Sequence, residues 1–375
     1  MDHKQLFHRI LSYVLVAVLA SAVTWAVASF VPSSKLEQIS MLIENRYIGE
    51  SDKAALEDTA AAAMVRALPD NWSTYIPASS YKAHRNNQNN EYVGIGVTIY
   101  KDESGGFYVL EVNPKGPAAE AGVCPGDVIT HVDGQDVTVD EVPDLQNFIP
   151  GKVGTKVTLT LRRGEESLEL TVKRKMIHQE AVTGQMLEGN IGLVTIANFH
   201  KEAGQESIDQ VKQLVEQGAE KLIFDVRGNP GGFVDELNEL LDYLLPEGPL
   251  FRSVNYKGNE TVDRSDASCL ELPMAVLING NSYSAAEFFA AALSEYEWAI
   301  TVGEPTTGKG YFQNTLELMD GSALYLSVGK YFTPNGVSLA DVGGLVPDVP
   351  VEPASGVVDA AEDPQIQAAI KALAE

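Results

Sequence analysis

Residues 221–232 read Lys-Leu-Ile-Phe-Asp-Val-Arg-Gly-Asn-Pro-Gly-Gly. The apolar run reads as a strand, the glycines as a turn, and residues 234–245 as the helix that follows. Strand, glycine turn and helix in that order set backbone N–H groups at a helix start, where negative charge is stabilised. Just upstream, residues 191–196 (Ile-Gly-Leu-Val-Thr-Ile) read as a buried strand and residues 202–217 as an amphipathic helix.

Downstream the pattern recurs. Residues 274–278 (Met-Ala-Val-Leu-Ile) are another short apolar strand, residues 281–284 a turn, and residues 285–294 a helix. Ser284, at that strand-to-helix junction, has the place of an attacking nucleophile beside an oxyanion hole. Lys309 follows in Thr306-Thr307-Gly308-Lys309-Gly310, ahead of a strand over 310–318. If that strand already includes position 309, Lys309, Tyr311 and Gln313 share one face by the two-residue period, and Gln313 can hydrogen-bond the lysine amine and fix its direction. A serine hydroxyl needs a neighbour to take its proton, and a lysine can do so once burial leaves it neutral. The pair points to a hydrolase. Singly, Ser284 would read as a helix cap and Lys309 as a solvated charge. Asp225 and Arg227 read as a strand-end pair that locks the glycine loop, and none of the histidines fits a Ser/His/Asp pattern.

A second module precedes this region. Residues 92–99 (Tyr-Val-Gly-Ile-Gly-Val-Thr-Ile) combine a glycine loop, whose N–H groups can hold an anion, with the strand that follows it. Residues 116–129 (Gly-Pro-Ala-Ala-Glu-Ala-Gly-Val-Cys-Pro-Gly-Asp-Val-Ile) read as a short helix, a turn and a strand. The two together resemble a PDZ domain over about residues 92–175. That resemblance implies capture of a peptide terminus: the chain adds to a sheet edge while its carboxylate sits on the N–H groups of Val93, Gly94, Ile95 and Gly96.

The chain has 375 residues, enough for two or three domains, with 45% hydrophobic residues and a formal charge of −25. That charge disfavours nucleic acid as a partner, because phosphate binding needs clustered Lys and Arg. Cys124 and Cys269 match no metal or redox spacing and read as two buried small residues without a disulfide.

Residues 34–90 read as helical and polar, with a break at Pro69-Asp70-Asn71 and a linker of no packing role at residues 86–90 (Asn-Asn-Gln-Asn-Asn). Residues 11–31 carry no charge and follow a basic start containing Lys4 and Arg9, the pattern of a membrane anchor whose basic flank stays in the cytoplasm. Ala26-Val27-Ala28 leaves open a signal peptide cleaved after export. On either reading the rest of the chain is exported.

From about residue 39 to residue 350 the chain resembles the carboxyl-terminal processing peptidases, or tail-specific proteases, of the Ser/Lys type. The motifs that carry the resemblance are the PDZ module, the LIFDVRGNPGG loop, the SYSAAE turn, the GEPTTGKG loop and the KYFTPNG and GLVPDV segments. The resemblance implies a multidomain α+β fold, with a small β-rich PDZ-like domain inserted before an α/β crotonase-like peptidase core. The expected division is an anchor or signal at 1–34, a helical part at 35–90, the PDZ-like domain at 91–176, the peptidase core at 177–352 and an acidic, alanine-rich helical tail at 353–375. It further implies Ser284 as nucleophile, Lys309 as general base, Gln313 as its orienting residue, and the N–H groups of Gly232 and Ala285 as the oxyanion hole, with no metal and no cofactor. Partners would be proteins or peptides with a free carboxyl terminus, the membrane through the amino-terminal helix, and a further copy of the chain in a homo-oligomer. Tyr283, Ala286 and Thr307 depart from the family's more usual Ala, Ser and Phe, which bears on packing and substrate preference rather than on a reacting group. The competing reading is a membrane-tethered PDZ scaffold with a degenerate peptidase core.

Overall fold

The computed structural model describes residues 7–8, 11–21, 34–102, 105–139, 149, 151–356 and 358–374. It divides into two compact units, one of residues 1–77 with 316–325 and the other of residues 78–315 with 326–375.

In the first unit residues 11–21 are helical, with Leu11, Val14, Leu15, Val18 and Leu19 exposed. The anchor expected over 11–31 lies partly outside the described residues, and among those described no helix is long and apolar enough to cross a membrane. Helix α1 (Lys35–Arg46) begins on a capping box: the Ser34 hydroxyl accepts the Glu37 N–H, and the Glu37 carboxylate accepts the Ser34 N–H. Helix α2 (Lys53–Arg66) starts where Asp52 accepts the N–H groups of Ala54 and Ala55. Strand β1 (Thr74–Ile76) pairs antiparallel with residues 323–325.

The second unit opens with α3 (Ala78–Gln88), and here the linker expectation fails. Residues 86–88 finish the helix, and Asn90 is buried in the left-handed region at φ 52°. Its side chain donates to the Lys201 carbonyl at 3.1 Å and accepts from Asn198 Nδ2 at 3.0 Å. Asparagine tolerates that backbone conformation, and its short amide can replace the backbone partners that the bend removes.

The PDZ-like module is bounded by β2 (Glu91–Gly94), whose antiparallel partner is β9 (Lys175–His178). Between them lie β3 (Val97–Lys101), β4 (Phe107–Val112), the short helix α4 (Pro117–Ala121), β5 (Val128–Val132), β6 (Gln135–Asp136), β7 (Lys156–Arg163) and β8 (Glu166–Lys173). The sheet order β3-β4-β5-β7-β8 leaves β3 at an edge, directly after the 94–96 loop. One face of the sheet fills with Val109, Ile129, Leu159 and Leu161, all fully buried. Arg163 holds the buried Asp127 through two bonds of 2.7 and 2.8 Å, which keeps that carboxyl below the usual range although burial opposes this. Cys124 is exposed on the turn ahead of Asp127 rather than buried, and Cys269 is half-buried; both are free thiols.

The peptidase core is a six-stranded sheet in the order β10 (Val182–Leu187), β11 (Ile191–Ile196), β12 (Lys221–Asp225), β15 (Met274–Ile278), β16 (Ala299–Gly303) and β19 (Val349–Pro350). All its pairs are parallel except β10 with β11. Parallel strands covered on both faces read as unbroken apolar runs, and β12 and β15 are such runs. Leu222, Phe224, Val276 and Ile278 face the layer of α5 (Ala203–Glu216), α6 (Val234–Leu244) and α7 (Ala285–Glu295). Ile223, Ala275 and Leu277 face the opposite layer, where Ile366 and Ala369 of α9 (Pro364–Ala372) and Leu373 at its carboxyl-terminal cap pack, after the short α8 (Leu339–Val342). A second sheet includes β13 (Gly248–Asn255), β14 (Glu260–Ser265), β17 (Tyr311–Glu317) and β18 (Ala323–Phe332).

Because β12, β15 and β16 are adjacent and parallel, their carboxyl ends open side by side. The glycine loop leaves β12, the Ser284 turn leaves β15, and the Lys309 turn leaves β16. Loops at that edge of an α/β sheet are where ligands bind.

Candidate active site

Ser284 sits between β15 and α7 with φ 58° and ψ −127°, a strained conformation for a residue with a Cβ, and it is 7% exposed. The turn is held by its neighbours. Ser282, fully buried, donates to the Val226 carbonyl at 2.7 Å, and the Tyr283 N–H donates to the Asn229 carbonyl at 3.1 Å. Asn279 Oδ1 accepts the Gly228 N–H at 3.0 Å, so the serine turn and the glycine loop are laced together.

The glycines are there for close approach. A Cβ on Gly231, whose φ is +84°, would lie 2.8 Å from Ser284 Cβ, the Ala285 nitrogen and the Tyr283 oxygen. A Cβ on Gly232 would lie 2.0 Å from the Phe199 oxygen. The Gly231 N–H is spent on Asn229 Oδ1 at 2.8 Å. Among the described residues the N–H groups of Gly232 and Ala285, the two donors expected of an oxyanion hole, donate to no protein acceptor.

Lys309 is 7% exposed and precedes β17 rather than joining it, because the strand begins at Tyr311. The alternation that would put Lys309 and Gln313 on one strand face therefore starts two residues too late. Gln313 Nε2 donates to the Tyr311 carbonyl and to Ser327 Oγ, each at 3.0 Å. The Lys309 amine lies 5.8 Å from the centre of the Tyr283 ring.

A residue quoted in the SYSAAE motif but given no role joins the two turns. Glu287, in the first turn of α7, is fully buried, and its carboxylate accepts four donors. Oε2 accepts the backbone N–H of Ser284 at 2.9 Å and that of Lys309 at 2.8 Å. Oε1 accepts the Thr306 hydroxyl and the Gly308 N–H, both at 2.6 Å. Burial raises the carboxyl above its ordinary range, and the four donors hold it back only in part. The signal in the sequence was the three-residue spacing from Ser284 to Glu287, the pattern by which a carboxylate reaches back to a helix start.

Arg227 anchors the glycine loop from the other side. It meets both oxygens of Asp225, at 2.9 and 2.6 Å, and also Asp363 at 2.8 Å and Gln365 Oε1 at 2.7 Å. The Asp225–Arg227 lock is as expected; its extension to α9 had no signature. Asp363 is held below the usual carboxylate range by Arg227, against the effect of burial.

In the PDZ-like module Gly96 takes φ +79°, Ile95 is buried, and the carbonyls of Ile95 and Gly96 accept the N–H groups of Ala118 and Asn113 at 2.9 Å. Among the described residues the N–H groups of Ile95 and Gly96 donate to no protein acceptor. Val93 and Gly94 belong to β2, opposite Met176 and Lys175.

Among the described residues His178, Glu202 and Glu206 bring one ligand atom each within 4.8 Å of one another. The group lies at the start of α5, where His178 Nε2 and Glu206 are already hydrogen-bonded at 2.8 Å and the second Glu206 oxygen accepts the Ala181 N–H. It includes no residue of the Ser284 and Lys309 turns.

Residues 190–351 match the family described as Peptidase family S41, and residues 108–163 match the PDZ domain. The segment 190–351 is of peptidase family S41. It is 31% identical over 325 residues to a "Probable CtpA-like serine protease" of Staphylococcus aureus (strain N315), covering 85% of this chain and 64% of that one. It is 33% identical over 305 residues to the "Carboxy-terminal processing protease CtpA" of Bacillus subtilis (strain 168), covering 80% and 65%. The chain thus spans just under two thirds of the length of those relatives. Among solved structures, a photosystem II D1 C-terminal processing protease superposes with a TM-score of 0.50 at 26% identity, over 85% of this chain and 86% of that one.

Proposed function

We propose that this chain is an exported serine endopeptidase, anchored by its amino-terminal apolar run, that takes the carboxyl terminus of a protein substrate in its PDZ domain and cleaves upstream of it. The observation that carries the reading is the shared oxygen of Glu287, which holds the backbones of Ser284 and Lys309 together at the mouth of the sheet. In this scheme neutral Lys309 takes the proton of the Ser284 hydroxyl as its oxygen attacks the scissile carbonyl. The oxyanion forms against the N–H groups of Gly232 and Ala285. The lysine then gives its proton to the leaving amine, and water releases the acyl group by the same steps in reverse. Gln313 keeps a place in the scheme as the residue that directs the lysine: its Nε2 is held by the Tyr311 carbonyl and Ser327 Oγ, and its amide oxygen is the atom that would accept from the lysine amine. Support for tail recognition comes from the uncommitted N–H groups of Ile95 and Gly96 beside the edge strand β3.

The test compares full-length chains. Ser284→Ala and Lys309→Ala should each cut cleavage of a free-acid peptide by roughly a thousandfold or more while the thermal transition stays in place. Undiminished turnover in either variant removes the Ser/Lys assignment. The same comparison, read as protein termini in cells carrying the native chain or Ser284→Ala, identifies the substrates.

A further inference from the structure

Tyr283 stands immediately before the nucleophile, where its N–H is tied to the Asn229 carbonyl. Its ring is half-buried and lies 5.8 Å from Lys309 Nζ, centroid to nitrogen. That is inside the ~6 Å range at which an aromatic face attracts a cation. The attraction acts on the charge, so it favours the ammonium over the free amine. Burial of the lysine head acts the opposite way.

Among the described residues the charged groups on elements packed against the lysine turn include Glu287, Lys330 and Asp341. Glu287 on α7 is spent on four donors, one of them the lysine's own N–H. Lys330 on β18 lies over a different ring, that of Tyr311, at 5.6 Å. Asp341 on α8 is exposed, and α8 approaches the lysine turn through Ala340, against Gly310.

We propose that Tyr283 is a positioning residue for Lys309, its ring face holding the lysine head beside the nucleophile turn and favouring the charged form, so that the turn itself sets how alkaline the medium must be before the base is free. The inference rests on the reading of Lys309 as general base. An alanine at this position would remove the ring's attraction for the ammonium and leave burial acting against the charge. The tyrosine therefore makes the peptidase more sensitive to acid than the same site without it.

The experiment measures kcat/KM against pH for the full chain and for Tyr283→Phe, Tyr283→Leu and Tyr283→Ala, on a quenched fluorescent peptide with an apolar, free carboxyl terminus. In parallel, NMR of lysine-labelled protein follows the Lys309 side chain through its titration, assigned by its loss in Lys309→Ala. Tyr283→Phe keeps the aromatic face and should leave the acid limb where it is. Tyr283→Leu and Tyr283→Ala should move both the limb and the NMR titration to lower pH by roughly half to one unit, the size of a partly buried cation–π attraction. Tyr283→Leu preserves bulk, so it reports on the ring face even if alanine loosens the turn. Identical limbs in all variants, whatever their turnover, would reduce the ring to packing and overturn the inference, as would a phenylalanine variant that moves as far as alanine. Unchanged cleavage by Lys309→Ala would instead remove the general-base reading, while the NMR comparison would still report whether Tyr283 and Lys309 interact.

Discussion

The Ser284–Lys309 junction and the 94–96 loop of the PDZ domain are both built from glycines and free backbone N–H groups, yet they are finished differently. At the junction nearly every polar group is matched: Glu287 takes four donors, Asn229 holds the glycine loop, and Arg227 meets three side chains. The PDZ loop uses its carbonyls to fix its own shape and turns the Ile95 and Gly96 N–H groups to no protein partner. A reacting geometry has to be pre-organised, so its supports are satisfied internally. A binding loop keeps its strongest donors for the ligand.

The largest expected break in that contrast is Glu287→Ala. It leaves buried N–H groups of Ser284, Gly308 and Lys309 without an acceptor, at a cost of about 3 kcal/mol or more. Cleavage should fall by roughly a hundredfold or more, since the two turns lose their common oxygen. Denaturant unfolding and kcat/KM measure the two effects. A variant that stays native in both would mean that the junction does not depend on its buried carboxylate.

The ligand-directed loop should respond to the ligand instead. Amidating the carboxyl terminus of a substrate peptide removes the charge that the Ile95 and Gly96 N–H groups would bind, and affinity should fall by about tenfold with no change in the protein. Binding to the Ser284→Ala chain, followed by calorimetry, isolates recognition from cleavage. Equal affinity of acid and amide would remove tail recognition and leave the peptidase assignment standing.

A smaller effect is expected where the junction meets α9. Asp363 is held below its ordinary range by Arg227, so its contribution is fully present above the unfolded carboxyl range and is lost as pH falls through the depressed folded value. Asp363→Asn should therefore cost roughly 1–2 kcal/mol near neutral pH. The difference from the native chain should narrow progressively in acid. A pH-independent difference would assign the loss to helix capping by Asp363, which also accepts the Gln365 N–H, rather than to the ion pair.

What the sequence discloses and what it hides divide along the same physical lines. Strands β11, β12 and β15 were legible because burial on both faces writes an unbroken apolar run, and the glycine loop because Gly231 lies against Ser284 and Gly232 against Phe199, where a Cβ does not fit. Glu287 was overlooked because a charged residue in a helix ordinarily faces water, and nothing local announces that its partners lie about 20 residues away in another loop. The expected start of β17 at Gly310 is one residue from the observed Tyr311; what the strand period could not record is that the lysine turn before it is held from outside by that carboxylate. Asn90 deceived for a related reason: a run of polar amides reads as solvent-exposed until the one that crosses to Asn198 and Lys201 is seen.

The reach of Arg227 across the chain also bears on biosynthesis. Its partners Asp363 and Gln365 lie 136 and 138 residues further on, so they leave the ribosome well after it. Until α9 has emerged, the arginine that braces the glycine loop lacks two of its three side-chain partners and the sheet lacks part of its second covering layer. A chain still being made thus holds the Ser284 and Lys309 turns before it holds the brace that completes their setting.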